Sequence, residues 1–85
     1  QDEKYYIELK HDWGGAGWIF AESMNLIAFE TFENFKIYRR EKILNYILDK
    51  GLKNFEHITR QKDKSVCILL PREEINSLTY KTLYK

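Results

Sequence analysis

The chain is poor in the features that announce a special architecture. It has one cysteine, one proline and four glycines in 85 residues, and its formal net charge is only +1. A single cysteine excludes an internal disulfide framework, so stability must come from packing. Cys67 lies in Ser65-Val66-Cys67-Ile68-Leu69-Leu70, where a free thiol is expected to pack as a small hydrophobe rather than to act as a nucleophile. No apolar run approaches the roughly 18 residues that a membrane span needs. The opening Gln1-Asp2-Glu3-Lys4 has neither the basic nor the apolar region of a secretion signal, so a cytoplasmic setting without membrane contact is expected. No internal repeat or low-complexity linker divides the chain, and residues 1–85 read as one domain.

Recognisable chemistry is equally scarce. Gly14-Gly15-Ala16-Gly17 lacks the Lys-Ser/Thr of a P-loop and the G-x-G-x-x-G spacing of a dinucleotide fingerprint. His11 and His57, beside Asp12 and Glu56, match no zinc, EF-hand or HExxH spacing. No serine sits in a G-x-S-x-G elbow. The expectation is a protein that is not an enzyme and uses no cofactor or metal.

Hydrophobic material is plentiful by contrast. Apolar residues make up 44% and aromatics 15%, with five Phe, six Tyr and two Trp, too rich for a disordered chain. At this length folding buries only about 60–65% of the unfolded surface, room for one modest core.

Periodicity places the elements. Tyr5, Ile7 and Leu9 alternate with Tyr6, Glu8 and Lys10, the pattern of a half-buried strand. The glycine-rich segment after it reads as a loop, and residues 18–24 as a second strand pairing back on the first. Residues 25–40 are ambiguous. Phe29, Phe32 and Phe35 are spaced as on a helix, whereas Phe35 to Arg40 alternates as a strand. Aromatic and β-branched content favours strands at about 26–30 and 34–39, with a single helix as the alternative. Ile43, Leu44, Ile47 and Leu48 form one apolar stripe of a helix over 41–50, closed by Lys50 and Gly51. Two strand-like segments, 55–60 and 65–70, flank a polar turn and predict a hairpin. The near-continuous apolar run of the second suggests an inner strand. After Pro71, Arg72-Glu73-Glu74 resembles a helix start, while Leu78, Tyr80, Thr82 and Tyr84 alternate as a strand; the short helix is narrowly preferred. The fold expected is α+β, a small mainly antiparallel sheet of three to five strands with one amphipathic helix packed on it.

Two surfaces are candidates for function. Trp13 and Trp18 bracket the loop that contains Gly14 and Gly15, and tryptophan on a loop can anchor a partner. Charge is also unevenly distributed: residues 1–35 carry seven acids and two bases, residues 36–64 nine bases and four acids. Arg39, Arg40, Lys42, Lys62 and Lys64, with Tyr38 and Tyr46 among them, would suit phosphates and bases if they shared a face. A sequence pI near 8.0 is below that of a dedicated nucleic-acid domain. By elimination the leading expectation is a non-enzymatic protein-binding module, of the kind with which a phage or mobile element inhibits a larger host or defence protein. The rival is a nucleic-acid-binding module using the basic 36–64 segment.

Overall fold

A segment with period-two alternation becomes a strand when a core accepts its apolar side, and six do so in the computed structural model, which describes residues 4–10, 15–62 and 64–85. They are β1 (Lys4–Lys10), β2 (Leu26–Glu30), β3 (Asn34–Arg39), β4 (Glu56–Thr59), β5 (Val66–Pro71) and β6 (Thr79–Tyr84), with one helix, α1 (Arg40–Lys50), between β3 and β4. The strands form two antiparallel three-stranded sheets, ordered β1-β5-β4 and β2-β3-β6. The α+β class and the hairpin of β4 and β5 are as expected; six strands form two sheets instead of one.

β5 is the middle strand of the first sheet, and its Cys67, Ile68 and Leu70 are fully buried, as the apolar run predicts. Tyr5 stands opposite Leu70 and Ile7 opposite Ile68. The expected strand over 18–24 does not form. Ala16 makes a single bridge to Lys10, and the chain then turns through one 3-10 turn at Trp18–Phe20 that buries Ile19 completely. The turn closes because the Gly17 N–H donates to the Leu9 carbonyl and the Phe20 N–H to the Gly17 carbonyl. A Cβ on Gly17 would overlap the Glu8 carbonyl, so the close approach requires glycine.

The ambiguity over 25–40 resolves as two strands. β2 pairs with β3 from Leu26–Arg39 to Glu30–Phe35. Their turn is fixed by Thr31, whose Oγ1 donates to Asn34 Oδ1 at 2.8 Å and accepts from the Asn34 N–H at 3.0 Å. Phe29 packs on the core, Phe32 is 92% exposed at the turn, and Phe35 belongs to the opposite face. The three-residue spacing of phenylalanines is therefore incidental.

α1 buries Ile43 and Ile47, each worth roughly 1.5–3 kcal/mol when removed from water. Leu48, assigned to the same stripe, is exposed. Gly51 has φ 96° and its N–H donates to the Ile47 carbonyl, a conformation open chiefly to glycine. Both readings of the C-terminal region hold in succession: Arg72–Leu78 form a 3-10 helix around the buried Ile75, and the chain then enters β6 beside β3. This helix is held to α1 by Glu74, whose Oε1 accepts from Tyr46 Oη at 2.5 Å and from Lys50 Nζ at 2.8 Å. Lys50 also lies 4.9 Å from the centre of the Phe55 ring.

The sheets meet through aromatics. Tyr5 of the first sheet stacks on Phe29 of the second with ring centres 3.9 Å apart and planes 7° from parallel. Tyr38 meets both rings edge-on at 6.0 and 5.8 Å, and its hydroxyl is 3.4 Å from that of Tyr5.

The Glu74 clamp makes stability depend on pH. The Lys50 ammonium, and next the Tyr46 hydroxyl, hold the Glu74 carboxyl below its ordinary value. The resulting stability is present above the unfolded carboxylate pKa and is lost as pH falls through the lower folded value. The bond to Glu74 pushes the Tyr46 phenol from 10.0 to about 12, a contribution present below the ordinary phenol pKa and lost as pH rises through the folded one. Because Glu74 and Lys50 are partly solvated, Glu74→Gln should lower stability at neutral pH by only about 0.5–1 kcal/mol. Urea midpoints measured against pH should show a shallower acid limb in the variant; an unchanged limb would show that the clamp contributes nothing.

Candidate docking face on the second sheet

The sequence candidates are not brought to one place. Trp13 and Gly14 lie outside the described residues, as does His11. Gly15 is half-buried beside the Lys10–Ala16 bridge. Trp18 is half-buried against the core, its ring centre 6.3 Å from that of Phe29. Arg40 braces the backbone: its Nε donates to the Met24 carbonyl and its Nη1 to the Ile19 carbonyl, both at 2.8 Å. Lys62 and Lys64 belong to the turn between β4 and β5, in the first sheet, where Lys64 adopts a left-handed φ of 60°. Arg39 and Lys42 are exposed close to the start of β6.

Around Arg39 a surface emerges that sequence reasoning did not single out. Residues directly opposite in an antiparallel sheet share a face. Since Ile27, Phe29 and Tyr38 face the core, Leu26, Ala28, Glu30, Phe35, Ile37 and Arg39 face away from it. β6 adds Lys81 opposite Ile37 and Leu83 opposite Phe35. A register shift after Ile37 re-aims the strand, and Tyr80 comes under the Arg39 guanidinium, 4.5 Å from its ring centre.

Three cross-strand rows result: Leu26-Arg39-Tyr80, Ala28-Ile37-Lys81 and Glu30-Phe35-Leu83. Leu26, Tyr80 and Leu83 remain 47%, 51% and 44% exposed. Lys85 closes the far end, its Nζ 5.2 Å from the centre of the Phe35 ring and 2.8 Å from Glu30 Oε2. Two shallow recesses flank the Arg39–Tyr80 stack. One of about 300 Å³ is bounded by Met24, Leu26, Arg39, Arg40, Glu41 and Tyr80. The other, of about 310 Å³, lies among Arg39, Lys42, Leu78, Thr79 and Tyr80.

The face is therefore apolar at its centre with cations on and around it: Arg39, Lys42 and Lys81, and Lys85 already paired with Glu30. Such a surface can bury apolar area against another macromolecule while its cations select the charge of what docks. Bond-making chemistry is less well provided. Among the described residues no group of three or more His, Cys, Asp or Glu could hold a metal. Cys67 is buried, and His57 Nδ1 is 2.9 Å from the Phe55 carbonyl of its own segment. No helix among the described residues is long and apolar enough to cross a membrane.

The sequence signal for this face was present in β3, where Phe35 and Ile37 are apolar on one side and Tyr38 on the other. A strand apolar on both sides has two faces to cover, and among the described residues the core covers one. Compared with known families, curated proteins and solved structures, the chain matches no family model and shows no significant similarity to a curated protein or a solved structure.

The different tasks of adjacent arginines are separable. Arg40→Met should lower stability by about 1–2 kcal/mol, since the Met24 and Ile19 carbonyls lose a charged donor. Arg39→Ala should stay within about 0.5 kcal/mol of the unmodified protein. Urea denaturation of both variants checks this, and equal losses would contradict the assignment.

Proposed function

We propose that the protein is a non-enzymatic binding module that docks on another protein through the outer face of β2, β3 and β6. The observation that carries this reading is the set of three cross-strand rows, with Leu26, Tyr80 and Leu83 about half exposed at their ends. Apolar side chains ordered on a sheet present a surface whose side-chain entropy is already partly lost, which favours docking. A module of this size with one such face acts by covering part of its partner, as an inhibitor of a larger host or defence protein does. A phage or mobile-element origin and a cytoplasmic setting belong to the same proposal.

Nucleic-acid binding has weaker support. Both rings that the face offers for stacking on bases already carry a cation, Arg39 on Tyr80 and Lys85 on Phe35. Arg40 is engaged with carbonyls, while Lys62 and Lys64 belong to the other sheet.

Leu26→Asp and Leu83→Asp alter the face without entering the core. Used as baits in lysate of the source cells, the unmodified protein should retain one stoichiometric partner that both variants lose, while their melting temperatures stay within a few degrees. Retention of the partner by both variants would overturn the assignment of this face. Oligonucleotide binding at low salt that weakens steeply as salt rises would put the nucleic-acid reading in its place.

A further inference from the structure

The two sheets have four edge strands, and an unprotected edge offers a row of backbone donors and acceptors to another chain. β1 is partly covered, because Ala16 and Gly17 return onto it through the Lys10–Ala16 bridge and the Gly17-to-Leu9 hydrogen bond. β4 is only four residues long, and its Glu56, His57 and Thr59 are exposed. In the second sheet β2 is an edge whose one charged side chain, Glu30, is paired with Lys85. β6 differs from all three. It is six residues long, pairs among the described residues with β3 alone and, unlike β2, carries a cation, Lys81, together with exposed Tyr80 and Leu83 on the docking face.

We propose that β6 receives an extended acidic segment of the partner protein as a fourth strand of the second sheet; this rests on the outer face being the docking surface. The charge pattern selects the occupant. An added strand extends the cross-strand rows by one residue each. The row ending in Leu83 then takes an apolar side chain, and the row ending in Lys81, two residues away, takes an acidic one. A second acid fits the recess at the start of β6, whose walls carry Arg39 and Lys42. A second copy of this chain is disfavoured, because antiparallel β6–β6 pairing would bring two copies of Lys81 close together; a lysine on an edge strand commonly blocks self-association in this way.

The test is selection from a display library of random peptides longer than β6, with the unmodified protein as target. Enriched peptides should carry an apolar and an acidic residue two positions apart, on one face of an extended strand, and a synthetic copy of one should slow amide hydrogen exchange along residues 79–84. Lys81→Glu should weaken its binding roughly tenfold, with no loss for Lys62→Glu in the other sheet. Melting curves establish that both variants are folded. Failure to enrich any peptide, or enrichment without acids, overturns the proposal. A peptide whose binding is abolished by Leu83→Asp but which leaves β6 exchange unchanged overturns strand addition and leaves the docking face standing. A peptide indifferent to both Leu83→Asp and Lys81→Glu overturns both.

Discussion

The contact between Tyr5 and the Phe29–Tyr38 pair is the constraint on which the rest of the structure depends. Tyr5 comes from the first sheet and the other two from the second, and a stacked pair with a third ring edge-on fixes separation and orientation together. Aromatic pairs of this kind contribute beyond the area they bury, roughly 0.5–1.5 kcal/mol each. The neighbouring Tyr5 and Tyr38 hydroxyls provide for polar atoms that packing alone would strand. A chain this short has too small a core to tolerate loss of that contact.

Committing Ile27, Phe29 and Tyr38 to the interior determines what the other side of the sheet must show. In a strand the alternate residues have no choice of face, so Leu26, Phe35, Ile37 and Leu83 are turned away from the core because their neighbours are turned toward it. α1 leaves β3 directly, Arg40 ties its start to the Met24 and Ile19 carbonyls, and the helix packs on the core through Ile43 and Ile47. The helix thus covers the inner side and leaves the outer face open. Charge completes the pattern, since Arg39 and Lys85 lie over rings of the same sheet and hold the face in a defined arrangement.

Much of this architecture was legible because local and tertiary demands agree. The alternation of β1 and the apolar run of β5 reappear as written, and the stripe of α1 does so except at Leu48. Three failures have physical causes. Residues 18–24 have the composition of a strand, but Gly17 admits an approach to the Glu8 backbone that turns the chain inward at Ile19, and no spacing rule records that contact. The C-terminal region carries both a helical and a strand pattern because it is one after the other. The site was least legible because it is assembled from β2, β3 and β6, distant in sequence, and a basic segment read linearly joined Arg39 and Lys42 to Lys62 and Lys64 of another sheet. β3 alone held a usable sign, in its two apolar sides.

The central claim is that one side of the second sheet is packed through aromatics while the other side stands open and apolar. Carbene footprinting of the free protein in solution measures this directly, because the reagent labels side chains wherever solvent reaches them. Strong labelling of Leu26, Tyr80 and Leu83 is expected together with protection of Ile27, Phe29 and Tyr38. Protection of Leu26 and Leu83, or labelling of Tyr38 as heavy as that of Tyr80, would contradict it.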